Sequence, residues 1–229
     1  MTETQQGRRR PQLSDEAAAY IRALIMSGEL RPGSQVRPET IGERLGISTT
    51  PAREALQLLR VEGFLELVPR RGFQVAPLTG ADIRDLFRAQ ALLGGELAGR
   101  AAVRVGPAEL AELSALHHEL MAAAARNDTG LLEEKNHAFH RIINHLADSR
   151  KILWVLGLTV RYVPRMFYAS IPGWQQATVE DHGKVLDALT AGDANAARGA
   201  MEDHLTHAGE LLAEHFDARI QGEGQRTPA

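Results

Sequence analysis

Four polar side chains in the second half of this chain are spaced so that they could share a divalent cation. Asn136 and His140 lie four residues apart, which projects both from one face of a helix. His182 opens the pattern HGKVLDAL, and His204 stands beside the apolar Met201, Leu205 and Leu211. Three imidazoles and one amide from three helices form a donor set suited to zinc, nickel or another first-row metal. From spacing alone the signal is weak, because helices commonly carry histidines as hydrogen-bonded or surface residues. His207, one turn after His204, is a further candidate for the same pocket. His117, His118, His137, His145 and His215 read as surface residues.

A second chemistry lies in the first half, from Ile41 to Gly63. Ile41 and Leu45 mark the apolar side of a short helix, Gly46 ends it, and Ile47 plugs the turn. Ser48 is placed to cap the next helix, and Pro51 falls in its first turn. Ala55, Leu56, Leu58 and Leu59 are its buried side, leaving Thr49, Thr50, Arg53 and Gln57 uncovered. Hydroxyls near a helix start followed by an arginine suit phosphate and base-edge contacts in a DNA major groove. Phe64–Val68 and Phe73–Val75 alternate as strands around the turn Pro69-Arg70-Arg71-Gly72. Arg70 and Arg71 at that tip would meet a DNA backbone or minor groove. Taken singly, these stretches also read as an ordinary helical hairpin and a solubilising loop; their succession favours DNA.

The elements that must position these residues follow from punctuation and periodicity. The 229 residues, 44% hydrophobic and 24% charged, suffice for one large or two modest globular domains. Aromatics are only 5%, and alanine and leucine dominate, which favours helix. There is no cysteine, so disulfides and thiolate metal sites are excluded. No apolar run approaches a membrane span, and the start MTETQQGRRRP lacks the apolar core of a secretory signal, so a cytoplasmic location without membrane contact is expected. The net charge of −3 is divided unevenly. Residues 1–78 hold eleven arginines against nine acids, a net of +2; residues 79–229 hold fifteen bases against twenty acids, a net of −5, and all nine histidines. Two domains with two tasks are expected.

Residues 1–12, with Arg8-Arg9-Arg10, read as a disordered basic tail. The first domain is expected over 13–77, its first helix capped by Ser14, with a turn at Glu29–Gly33 and an extended segment near Val36. A linker at 78–80 leads to a helix from Ala81 to about Val105, capped by Thr79. Five more helices are expected, over about 107–127, 130–147, 149–169, 176–191 and 193–217, with a loose tail over 219–229. The expected fold is mostly α: a winged helix–turn–helix (α with a small β wing), then an all-α antiparallel bundle over 81–218.

The motifs GELRPG, LGIS-TTP-AREAL-LL-EGF and PRRGF-V, in this order over roughly residues 14–77, resemble the GntR family of bacterial transcription regulators. That resemblance implies a homodimer that binds a palindromic double-stranded operator. It carries over Ser48, Thr50, Arg53 and wing Gly72 as DNA-contacting positions. Thr49 and Glu39 stand where the family often has arginine, and Arg37 is placed to substitute for the second. NHAFH, DH-KVLDAL and M-DHL resemble the FCD ligand-binding domain of the FadR branch, and six helices match its VanR-like type. The resemblance implies a metal, zinc or nickel, held by Asn136, His140, His182 and His204 and open to the carboxylate of a small effector. Asn136 replaces the usual acid with a neutral, weaker ligand. Gln90 stands where the family commonly has an arginine and Gly94 where it often has a glutamate, so Arg161 or Arg165 becomes the candidate cation of the effector pocket. Tyr162, Phe167 and Tyr168 are expected in the core or at an interface.

An enzyme reading finds little support. His118-Glu119 begins like a zincin motif but its second histidine is missing, and no G-x-S-x-G, P-loop or dinucleotide fingerprint occurs. A metal-free effector pocket and a protein-interaction adaptor are the alternatives to a metal-dependent regulator.

Overall fold

The computed structural model describes residues 13–163, 168 and 171–224. The expectations for the tail at 1–12 and for Arg165 and Phe167 lie outside these residues. The chain divides between Leu78 and Thr79 into two compact units.

In the first unit, α1 (Leu13–Met26) is followed by β1 (Gln35–Val36), α2 (Pro38–Leu45), α3 (Thr49–Val61), β2 (Leu65–Val68) and β3 (Gly72–Val75). Ile21 and Ile25 of α1, Ile41 of α2, and Ala55, Leu56 and Leu59 of α3 are almost fully buried, as helical spacing requires. Arg22, itself buried, donates two 2.8 Å hydrogen bonds from its guanidinium to the Glu62 carboxylate, fastening α1 to the end of α3. Gly46 ends α2 in the left-handed conformation, φ +66°, where a side chain would be strained. The strands form an antiparallel sheet in the order β1-β3-β2, with Leu65 opposite Val75 and Val68 opposite Gly72. Simple alternation fails here: Phe64 and Leu65 are both buried, while Leu67 is 52% exposed. Gly63 (φ +84°) turns the chain so that Phe64 enters the core before the strand begins. α1 already includes Leu13, so Ser14 lies inside its first turn rather than capping it.

The second unit contains, among the described residues, six helices and no strand: α4 (Gly80–Ala102), α5 (Pro107–Ala125), α6 (Thr129–Leu146), α7 (Arg150–Val160), α8 (Trp174–Thr190) and α9 (Ala194–Gly224). Thr79 and Asp82 form a reciprocal capping box at the start of α4, at 3.2 and 2.8 Å. Asp128 caps α6, accepting from Leu131 N. Helix α7 stops at Val160, well short of 169, and α9 continues to Gly224, into the stretch expected to be loose. Leu113, Phe139, Ile143, Val185, Leu189 and Met201 form the shared core.

Helices α4 and α9 approach closely because small residues line their seam. A Cβ on Gly99 would lie 2.9 Å from Ala194 O, and one on Gly209 would lie 2.5 Å from Phe87 Cβ. Replacing a helical glycine by alanine ordinarily stabilises by about 1 kcal/mol. Here overpacking wins: Gly209→Ala is expected to cost about 1–3 kcal/mol in chemical denaturation, and an increase in stability would contradict this packing.

Candidate functional site

α6, α8 and α9 bring His140, His182 and His204 to one point inside the second unit. His140 Nε2 lies 3.3 Å from His182 Nε2 and 3.2 Å from His204 Nε2. One ligand atom from each ring falls within 4.8 Å of the other two. Nitrogens bound tetrahedrally to one ion at 2.0–2.1 Å stand about 3.3 Å apart, so the rings are spaced as ligands of a single ion. The His182 ring stacks on Phe139 at 4.3 Å, which fixes its plane. Asn136 Oδ1 and His182 Nδ1 are buried without a hydrogen-bond partner. An orphaned acceptor one turn from His140 is what a fourth ligand would employ. Burial, then the charge of His204, holds both His140 and His182 well below the ordinary imidazole value. Both are therefore neutral near pH 7, the form that binds metal.

Asp181 supports this cluster, and its role was not anticipated. Its buried carboxylate accepts from Lys184 Nζ at 2.7 Å and His207 Nδ1 at 3.0 Å, and lies 3.9 Å from His204 Nδ1. His204, then Lys184 and His207, hold its pKa far below the usual carboxylate range against the opposing effect of burial. A carboxylate behind His204 Nδ1 keeps the other ring nitrogen turned toward His140. His207 is thus an exposed partner of Asp181 and does not line the cavity expected for it.

That cavity, of about 430 Å³, opens beside the histidines. Asn136, His140 and His204 line it, with Phe87, Leu153, Leu156 and Trp174 as apolar wall. Gln90 lines it, buried, with Nε2 donating to Thr159 O at 3.3 Å. A Cβ on Gly94 would sit 2.6 Å from Leu205 Cδ1, so a longer side chain there requires Leu205 to move. Arg161 is exposed at the C-terminal cap of α7 and does not line the cavity. Arg141, His137 and His145 line it instead, and so does Tyr168, stacked on Trp174 at 5.5 Å. The available signal for Arg141 was its spacing from His137 and His145, which repeats the cavity face of α6.

In the first unit, Ser48, Thr49, Thr50, Arg53 and Gln57 are all exposed on α3 and its start. Ser48 occupies the cap position, but its hydroxyl makes no capping hydrogen bond. Arg53 is loosely paired with Glu39 at 3.8 Å. At the wing, Arg70 (φ +65°) and Gly72 (φ +77°) take left-handed conformations, which present Arg70 and Arg71 to solvent. Gln35 links the basic groups: its Nε2 donates to Arg71 O, and its Oε1 accepts from Arg37 Nη2 at 3.0 Å.

An exposed polar recognition helix beside an arginine-tipped wing, joined to a helical domain with a histidine-lined cavity, defines a DNA-binding transcription regulator with a sensor domain. Residues 13–75 match the family described as "Bacterial regulatory proteins, gntR family", and residues 85–207 match the FCD domain. The chain belongs to the GntR family of regulators, in the branch that carries an FCD domain. It is 29% identical to a probable D-xylose utilization operon transcriptional repressor of Paenarthrobacter nicotinovorans, covering 86% of this chain and 87% of that protein. It is 26% identical to the regulator LutR of Bacillus subtilis (strain 168), covering 86% and 100%. The solved structure of E. coli McbR/YncC shares the fold, with a TM-score of 0.67 and 24% identity over 90% of this chain and 99% of that one. The family consists of transcription regulators and not of enzymes.

The buried imidazoles impose a pH dependence. Burial holds the folded-state pKa values of His140 and His182 well below the ordinary imidazole value of 6.5. Their contribution is therefore fully present above that value and is lost as pH falls below it, because the unfolded chain binds more protons. Metal-free protein is expected to melt at progressively lower temperature between about pH 7.5 and pH 5, and His182→Gln is expected to flatten that slope. A melting temperature that rises over this range would contradict neutral, buried rings.

Proposed function

We propose that this regulator acts as a homodimer on a palindromic double-stranded operator, controlled by a small organic effector at a divalent metal site in the second unit. The observation that carries the sensor half is the convergence of three Nε2 atoms beside a cavity. His140, His182 and His204, with Asn136 Oδ1, would hold zinc or nickel, whose chemistry would be to accept an anionic oxygen of the effector. A metal-free effector pocket is the second reading, favoured by one specific feature: Asn136 supplies no charge.

On DNA, α3 would lie in the major groove, with Thr49, Thr50 and Arg53 toward base edges and Ser48 toward phosphate. Arg37, Arg70 and Arg71 would meet phosphates or the minor groove, and Gly72 permits the close approach of the wing. Two copies match two half-sites. The exposed Trp154, Val155 and Leu158 of α7 offer an apolar surface for the second copy. We place the protein in the cytoplasm with its operator; none of the described helices is long and apolar enough to cross a membrane. Effector binding would change operator affinity only as far as it favours one packing of the bundle over another.

Arg53→Ala is expected to weaken specific operator binding roughly 10- to 100-fold. Arg71→Ala is expected to reduce the slope of log affinity against log salt by about 0.9. Specific binding unchanged in the first variant would remove α3 as the reading helix. Zinc or nickel at about 100 times its dissociation constant should stabilise the wild type by about 2.7 kcal/mol. Thermal melting should show no such gain for His204→Ala, and an equal gain in both would place the metal elsewhere.

A further inference from the structure

The four side chains that would hold the ion bring no negative charge to it. Imidazoles bind metal as neutral donors, and Asn136 offers an uncharged amide. An ion held by these alone would carry its full double charge into a buried site, where charge without a counter-charge is costly. Among the described residues of the second unit two acids are buried, Glu133 and Asp181. Glu133 acts on Tyr168, whereas Asp181 acts on the histidine cluster. Asp181 Oδ2 lies 3.9 Å from His204 Nδ1, and the other nitrogen of that ring faces His140 at 3.2 Å. The 3.9 Å separation is too long for a hydrogen bond, yet Coulomb attraction over it is strong where water is excluded. Lys184 Nζ at 2.7 Å and His207 Nδ1 at 3.0 Å pin the same carboxylate, so that it stays beside the ring.

We propose that Asp181 is the positioning residue that balances the charge of the bound ion: from behind His204 it supplies the negative charge that Asn136 does not, and it thereby sets the affinity for the metal. The order is carboxylate, imidazole, ion, in which the acid both orients the ring and raises its basicity. Asp181 sits on α8 and His204 on α9, so the compensation also ties these two helices to the occupied site. This role rests on the metal site proposed above and adds the residue on which its affinity depends.

The test is the zinc dissociation constant of the full-length protein, freed of metal and then titrated in competition with a chromophoric chelator. Asp181→Asn should weaken zinc binding about 10- to 100-fold, while circular dichroism of the metal-free protein shows an unchanged fold. Adding Asn136→Asp moves the charge to the other side of the ion and should recover most of that loss. A residue that merely braces α8 against α9 would allow no such recovery. In the wild-type background Asn136→Asp should tighten zinc binding by less than about tenfold, because the charge is already balanced and the two positions are coupled. That variant leaves Asp181 intact, so a larger gain there would overturn the inference even where Asp181→Asn does not fold. Equal zinc affinity in wild type and Asp181→Asn, or equal gains from Asn136→Asp in the two backgrounds, would overturn it as well. A wild type that binds no zinc ends the metal reading itself, whereas tight wild-type binding that Asp181→Asn leaves unchanged ends only this role.

Discussion

Three imidazoles buried against one another govern the second unit. Rings whose nitrogens stand 3.2 and 3.3 Å apart cannot all be protonated, and without an ion each contact requires one nitrogen to donate to the next. Burial drives His140 and His182 to the neutral state, and Phe139 and Asp181 fix the ring planes from outside. The remaining loose ends, Asn136 Oδ1 and His182 Nδ1, are polar atoms that a bundle core ordinarily satisfies. Much of the surrounding architecture can be understood as holding this arrangement. Helices α6, α8 and α9 supply the rings, and glycines along α4 let α9 pack tightly enough to present His204.

The first unit is built on the opposite principle. Its core is apolar and ordinary, and its polar groups are deliberately uncovered. The part-buried Arg22–Glu62 pair joins α1 to the end of α3, and the exposed amide of Gln35 links Arg37 to the wing carbonyl. The first is structural, because both partners lie away from the exposed face of α3. The second joins two basic positions that would otherwise move independently, and it does so at the surface where DNA would lie.

The helix order, the small sheet and the histidine cluster were legible in the sequence because each rests on local rules. Gly46 and Pro107 punctuate helices by their backbone conformation and Thr79 and Asp128 by side-chain caps, and helical periodicity pairs Asn136 with His140. The features that were hidden depend on tertiary packing. Asp181 sits next to His182 in sequence, yet a helix turns it about 100° away, toward α9, where its partner His207 waits. Arg141 of α6 and Tyr168 line the cavity, whereas α7 ends at Val160 and leaves Arg161 exposed at its cap. Leu67 obeys strand spacing but lies on a wing that projects beyond any core. Ser48 takes its expected place at the start of α3 without making the expected hydrogen bond.

In the proposed regulator, occupation of the histidine cluster ties α6, α8 and α9 together, and α9 lies along α4, the helix that begins the second unit. The most direct measurement is X-ray absorption at the metal edge of the purified, zinc-loaded chain, taken with its metal-to-protein ratio. The account predicts one ion per chain, with three imidazole nitrogens at about 2.0–2.1 Å and oxygen completing the shell. A shell with fewer than three imidazoles, or protein that retains no ion after incubation with zinc, would contradict it.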